Sequence, residues 1–273
     1  MHLVGVGAGA GRMVAVRFGD EIAPLGLVGE FWADPAAALS RANSVGERIP
    51  VGSPPLTHPV PDGARVLCLG LNYRAHALEG SFEPPEHPVV FGRWTASLVT
   101  DGTPVRVPID EPGLDWEGEV AAVIGRPLHR VDAATARAAV VGYAAFNDLT
   151  ARTTQKLTSQ WTLGKNADGS GPMGDLVTAD EVGDLRDGLQ LRTLVNGEVV
   201  QDASTADMIF ELGDVLAQLS RTMTLYPGDV VVTGTPEGVG YVRTPPRLLR
   251  PGDTVSVQVE RVGSVTNPVI GPG

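Results

Sequence analysis

Asp115-Trp116-Glu117-Gly118-Glu119-Val120-Ala121-Ala122-Val123-Ile124-Gly125 is the stretch on which the reading of this chain turns. Carboxylates at positions i, i+2 and i+4 of an extended strand emerge on one face, about 6.6 Å apart along the chain. Like charges so placed repel unless a cation or protons intervene. The apolar run that follows carries the strand into the core, where uncompensated carboxylates are costly. A divalent cation is the simplest remedy; the alternative is a solvated edge strand whose acids face water. With oxygen donors only, no histidine pair nearby and no cysteine, the ion would be Mg²⁺ or Mn²⁺ rather than Zn²⁺. Glu117 and Glu119 then need a third ligand from elsewhere. Asp148, a lone acid at the end of the apolar run Ala145-Phe146-Asn147, is the candidate. It could instead cap a helix beginning at Leu149.

Other polar residues cluster in short blocks around this strand. His76 and Glu79, in Asn72-Tyr73-Arg74-Ala75-His76-Ala77-Leu78-Glu79, stand at i and i+3, close enough on a helical turn to hydrogen-bond. A histidine oriented by a carboxylate can take a proton from water; the plainer reading is a surface contact. Gly80 to Pro88, rich in proline, would suit a mobile lid. Lys165, between Gly164 and Asn166, could pair with acids or bind an anion. Gly234-Thr235-Pro236-Glu237-Gly238-Val239-Gly240 follows the strand-like Val230-Val231-Val232-Thr233, and a glycine-rich loop there lets backbone N–H groups approach a carboxylate, although a plain turn explains it as well. Gly5-Val6-Gly7-Ala8-Gly9-Ala10 loosely matches a dinucleotide fingerprint, which requires a helix to follow. Met13 to Phe18 reads as a strand, so the glycines are a hairpin turn and no nicotinamide or flavin site is expected.

Composition narrows the function classes. The chain has 273 residues, 42% apolar and 19% charged, which describes a globular chain able to bury a core. Its 34 glycines and 22 prolines favour strands and turns over helices. A net charge of −11 offers no footprint for nucleic acid. No apolar run is long enough to span a bilayer, and the first residues lack the basic segment of a signal peptide. Cys68, the lone cysteine, sits in the apolar run Val66-Leu67-Cys68-Leu69 and reads as a structural thiol; the cytoplasm is the expected compartment. Pro54-Pro55 and Pro59-Val60-Pro61-Asp62-Gly63 mark a boundary, so residues 1–60 are expected to form a small N-terminal domain and 61–273 the main one. Helices are expected over Pro35 to Ala42, from an N-cap at Asp132 to about Val141, and from Ala206 to Met223 with Ser204 or Thr205 as cap. Most strand-like runs are joined by turns too short for crossovers, which argues for a mixed β-sandwich or rolled sheet and against a doubly wound one.

Six blocks between Val66 and Gly240 together resemble the fumarylacetoacetate hydrolase family. They are Gly70-Leu71-Asn72-Tyr73 with His76 and Glu79; Asp115-Trp116-Glu117-Gly118-Glu119-Val120; Gly142-Tyr143 with Asn147-Asp148-Leu149-Thr150-Ala151-Arg152; Lys165; Gly171-Pro172-Met173-Gly174; and Thr233-Gly234-Thr235-Pro236-Glu237-Gly238-Val239-Gly240. The resemblance implies a β-rich α+β fold, the mixed β-sandwich roll, and a homodimer. It implies Mg²⁺ or Mn²⁺ on Glu117, Glu119 and Asp148, and substrate carboxylate binding by Arg152, Gln155 and Thr235. Lys165 would lie beside the metal-bound oxygens, and His76 with Glu79 would form a water-activating dyad on a lid. The activity implied first is hydrolysis of a C–C bond in a small 2-oxo or 2,4-dioxo acid such as an acylpyruvate. Decarboxylation of an oxaloacetate-type acid, or isomerisation or hydration of an unsaturated 2-oxo acid, is the alternative on the same site. A binding or scaffolding protein with merely structural acids is the third reading. Three features depart from the family pattern: Arg93 where lysine is frequent, Asp175 where proline often follows Gly-Pro-Met-Gly, and Asn166-Ala167-Asp168-Gly169-Ser170 without the aromatic residue many relatives carry near Lys165.

Overall fold

In the computed structural model, which describes residues 1–42, 46–52, 54–80 and 83–272, the apolar run after the acids forms the strand Gly118–Ile124, buried along its whole length. It pairs antiparallel with Val140–Asn147 on one side and with Val230–Val232 on the other. Its two faces serve two cores, as a period of two requires. Val120, Ala122 and Ile124 pack with Leu191, Leu216 and Val257. Ala121 and Val123 pack with Phe31, Cys68 and Val230. The cysteine is buried, as its sequence setting suggested.

These strands belong to an eleven-stranded mixed sheet. On one side the sheet continues through the parallel pair Val230–Val232 and Val66–Gly70 to an edge strand, Val89–Arg93. On the other it passes through Leu176–Thr178 to His2–Val6, Met13–Phe18 and Glu21–Leu27. The N-terminal residues, expected to form a small domain through residue 60, thus prolong the edge of the large sheet. The glycines after Val6 turn the chain between His2–Val6 and Met13–Phe18, the hairpin read from the sequence. A five-stranded sheet, containing Glu198–Ser204, Gln190–Val195, Thr254–Val259, Gly263–Ile270 and Val105–Arg106, packs over Gly118–Ile124 and Val140–Asn147. The result is a mixed, sheet-rich α+β fold. Gly118 lies where the layers meet: a Cβ there would come within 2.1 Å of Thr193 Oγ1, so the residue between the two glutamates can carry no side chain.

The helices are shorter than the sequence suggested. Asp132 caps its helix by accepting from Thr135 N, but the helix ends after Ala133–Arg137, and Val140 already pairs in the sheet. Pro35–Ser40 is helical. The expected helix from Ala206 begins instead at Leu212 and runs to Thr222. Ser204 caps only a 3-10 turn, Thr205–Asp207. Beyond it, the amides of Ile209 and Phe210 donate to the backbone and side-chain oxygens of Asn72, so tertiary hydrogen bonds claim the backbone that a longer helix would have used. Among the described residues no helix is long and apolar enough to cross a membrane.

Candidate metal and acid–base site

Of the three acids in series, Asp115 stays outside the cluster that Glu117 and Glu119 join. Asp115 lies before Gly118–Ile124, in an isolated bridge with Thr150, and its buried carboxylate accepts from Arg152 Nε at 2.8 Å and from the amides of Gly240 and Tyr241. Glu117, Glu119 and Asp148 are the three that converge: one oxygen from each lies within 4.8 Å of the others, and all three residues are buried. Asp148 reaches the cluster from the end of Val140–Asn147, which pairs with the acid strand so that its amide donates to Glu117 O. It caps no helix at Leu149; the next helix is Arg152–Gln155.

Three cations surround these acids. Lys165 Nζ bridges Glu117 Oε2 at 2.6 Å and Asp148 Oδ2 at 2.5 Å. Arg152 spends all three of its nitrogens: Nε on Asp115, one terminal nitrogen on Glu117 Oε1 and the other on Gln155 Oε1. Arg93 donates to Asp148, to Ser170 Oγ and to Leu149 O. Burial opposes ionisation of Glu117, but Lys165 and Arg152 override it and hold its carboxyl below the ordinary range. The same contest, with Asp148 and Glu117 prevailing over burial, raises the ammonium of Lys165.

Glu119 is different. Among the described residues no cation pairs with it; its Oε2 accepts one bond, from Gly234 N at 2.6 Å. Burial, then the charges of Asp148 and Glu117, push its carboxyl well above the ordinary value. Four buried acids, counting Asp115, therefore face three cations among the described residues, and Glu119 is the one left without a counter-charge, favouring its protonated form unless a further cation joins the cluster. An all-oxygen donor set spanning 4.8 Å, with an uncompensated carboxylate open to a cavity, fits a hard divalent cation, whose oxygen ligands sit at about 2.0–2.6 Å.

That cavity has a volume of about 330 Å³ and is lined by His76, Glu117, Glu119, Gln155, Lys165 and Thr235, among others. His76 and Glu79 lie on the helix Arg74–Glu79, with Nδ1 and Oε1 2.9 Å apart. Both Glu79 oxygens also accept from Gly238 N. The loop after Val230–Val232 thus presents three glycine amides to three acids: Gly234 to Glu119, Gly238 to Glu79, Gly240 to Asp115. Two of these glycines need their residue type for conformation, with φ of +91° at Gly234 and +95° at Gly238. Thr235 hydrogen-bonds Gly118 O and Gln201. Of the expected lid, residues 81 and 82 lie outside the described residues.

Sequence reasoning missed Arg93 as a partner of Asp148 and noted it only as a departure from the family pattern. It also missed Trp161 and Phe91, which pack edge to face at 5.4 Å and line the cavity; they supply the aromatic wall that the segment 166–170 lacks. A Cβ on Gly70 would meet the Trp161 ring at 2.5 Å, so this glycine is what seats the indole. Asp175, the other departure, stands against Arg17 at 3.2 Å on the N-terminal side of the sheet.

Comparison with known proteins agrees with this architecture. A family model described as fumarylacetoacetate (FAA) hydrolase C-terminal matches residues 65–270. The chain is 38% identical over 218 residues to oxaloacetate tautomerase fahd2, a mitochondrial protein of Xenopus laevis, covering 79% of this chain and 68% of that one. The crystal structure of 2-hydroxyhepta-2,4-diene-1,7-dioate isomerase from Mycobacterium marinum superposes with a TM-score of 0.78 at 33% identity, covering 100% of this chain and 99% of the other. Fumarylpyruvate hydrolase from Pseudomonas aeruginosa, solved with Mn²⁺ and pyruvate, gives a TM-score of 0.70 at 29% identity, covering 83% and 93% respectively. On the family match and the shared fold, the chain belongs to the fumarylacetoacetate hydrolase family.

Proposed function

We propose that the chain is a Mg²⁺- or Mn²⁺-dependent enzyme that moves a proton on a small 2-oxo acid, interconverting its keto and enol or double-bond isomers. The observation that carries this reading is the meeting, in one cavity, of an oxygen-only acid triad with a histidine–carboxylate pair. A divalent ion held by Glu117, Glu119 and Asp148 would supply Lewis acidity toward the keto and carboxylate oxygens of such an acid. The remaining work falls to the chain. With Nδ1 held by Glu79, His76 presents Nε2 to the cavity, takes a proton from the carbon beside the keto group and returns it, while Glu79 steadies the imidazolium. Lys165 lies beside the enolate oxygen and offsets its charge. Gln155, whose Oε1 is taken by Arg152, keeps its amide N–H groups for the substrate carboxylate, and Thr235 lines the same wall. Arg152 serves by holding Glu117 and Gln155 in place.

Hydrolysis of a C–C bond is the second reading, supported by the likeness to fumarylpyruvate hydrolase and by the same dyad, which could equally activate water. Proton transfer stands first because the more similar relatives named above are a tautomerase and an isomerase. Incubation of the Mn²⁺-loaded protein with oxaloacetate and with an acylpyruvate in deuterated, ¹⁸O-enriched water separates the two. Proton transfer places deuterium beside the keto group and leaves the carbon chain whole; hydrolysis releases two acids, one labelled with ¹⁸O. Absence of both labels at every divalent ion tried overturns the enzymatic reading.

A further inference from the structure

Three side chains with fixed positive charge line the cavity: Arg152, Lys156 and Lys165. Arg152 is spent on Asp115 and Glu117, and Lys165 on Glu117 and Asp148. Lys156 is not. It follows Gln155 as the C-terminal cap of the helix Arg152–Gln155, and among the described residues it has no carboxylate partner. Its ammonium lies over the Tyr241 ring, 4.6 Å from the centroid, and that ring is flanked by Arg152 at 4.3 Å. Tyr241 is anchored in turn, since its amide donates to Asp115. A lysine at the open rim is thus given a place by a cation–π contact and left with its hydrogen-bonding capacity unspent.

We propose that Lys156 is a specificity-determining residue: it receives the far carboxylate of a 2-oxo acid whose near end sits at the acid triad, and so favours 2-oxo dicarboxylates over 2-oxo acids of equal length with a neutral tail. The inference rests on the reading above that a 2-oxo acid binds there. The rest of the cavity gives a second carboxylate little welcome. Leu69, Leu71, Phe91 and Trp161 form an apolar wall, along which an unpaired anion loses hydration without compensation. The chain carries a net charge of −11, which repels a dianion at long range. An uncommitted ammonium on a flexible four-carbon stem offsets both and can follow tails of slightly different length.

The test uses the whole protein loaded with Mn²⁺ and three probes: oxalate, 2-oxoglutarate and 2-oxopentanoate, each titrated calorimetrically. Wild-type protein should bind 2-oxoglutarate about tenfold more tightly than 2-oxopentanoate, the scale of a charge-assisted contact at a half-open site. In Lys156→Met the ratio should fall to about one, through weaker binding of the dicarboxylate; Lys156→Arg should keep most of the preference. A wild-type preference that survives in Lys156→Met, or an absence of preference in the wild type while oxalate binds, overturns the role of Lys156 alone. Failure of the wild type to bind oxalate overturns the 2-oxo acid reading, and the proposal with it.

Discussion

The acid triad and the His76–Glu79 pair open onto one cavity but are held in opposite ways. Glu117, Glu119 and Asp148 come from buried backbone at the middle of the large sheet, and a cation or an amide fixes each. His76 and Glu79 ride on a six-residue helix whose one buried side chain is Ala77. A single helical turn has little stability of its own. What steadies this one is Asn72 at its start, bonded to Thr233 O and Phe210, and the Glu79 contact with Gly238 at its end. The difference matches the two tasks proposed above. Groups that carry charge work best when they need not reorganise, whereas a proton carrier over the mouth of a cavity must let substrate pass. The loop Gly234–Gly240 touches both, so the proposed proton carrier is registered against the acid triad through backbone amides.

The largest effect should come from breaking the rigid half. Glu119→Gln removes the one of the four buried site acids that, among the described residues, has no cation partner, and metal-dependent turnover should fall by about a thousandfold or more, the scale of losing a principal electrostatic stabiliser. Melting curves separate this from misfolding. Mn²⁺ should raise the melting temperature of the wild type, as any ligand of the native state does, and should not raise that of the variant. A full metal-induced shift in Glu119→Gln would remove this residue from the ligand set.

Loosening the other half should cost catalysis and spare the metal. His76→Asn is expected to lower kcat by about 10²- to 10⁴-fold, as loss of a general base does, with the Mn²⁺-induced thermal shift retained. If that variant instead lost the metal response and kept kcat, the division of labour would be reversed.

A third measurement separates acid damage to the fold from titration at the site. His58, on the N-terminal side, is pulled down to about 4, first by burial and then by the neighbouring Arg12 guanidinium. Its folded pKa lies below the unfolded value of about 6.5. The unfolded chain therefore binds the extra proton first, and stability falls as pH drops from about 6.5 to about 4, by about 3 kcal/mol in all. Urea unfolding between pH 7 and pH 4 reads this, and His58→Gln should flatten the slope; an unchanged slope would place the acid-sensitive group elsewhere.

The smallest effect concerns the helix that carries Arg152 and Gln155. Glu111 accepts from the amides of Thr153 and Thr154 and from the Thr154 hydroxyl. Glu111→Ala should cost about 1 kcal/mol of stability, as loss of a helix cap does, measurable in the same urea series. It should lower kcat/KM severalfold by freeing Arg152 from its register; a loss of stability with kcat/KM untouched would show that the cap serves the fold alone.

Much of this site was readable along the chain because strands impose a period of two. Once Val120 to Ile124 is read as a buried strand, Glu117 and Glu119 must share a side, and an acid ending the next apolar run is a natural companion. The glycines of 234–240 were legible as a backbone approach to a carboxylate, though not which carboxylates: all three are the protein's own. Asp115 shows the limit. Its spacing puts it in series with the glutamates, and Arg152 reaches both it and Glu117, yet it takes no part in the triad. The helix expected from Ala206 failed likewise, since periodicity cannot see Asn72 reaching across from the turn after Val66–Gly70, 138 residues away.

By itself, the sequence determined which residue types could gather: a β-rich core, two glutamates in phase, a third acid at a strand end, a histidine three residues from its carboxylate, and a family likeness strong enough to bring them together. Tertiary structure alone decided how the charges are shared. Arg93, Arg152 and Lys165 arrive from separate segments, and among the described residues their division leaves Glu119 without a counter-charge and Lys156 without an acid. Pairing of this kind falls off over a few ångströms and depends on which groups are buried together, and neither distance nor burial is written in the order of residues.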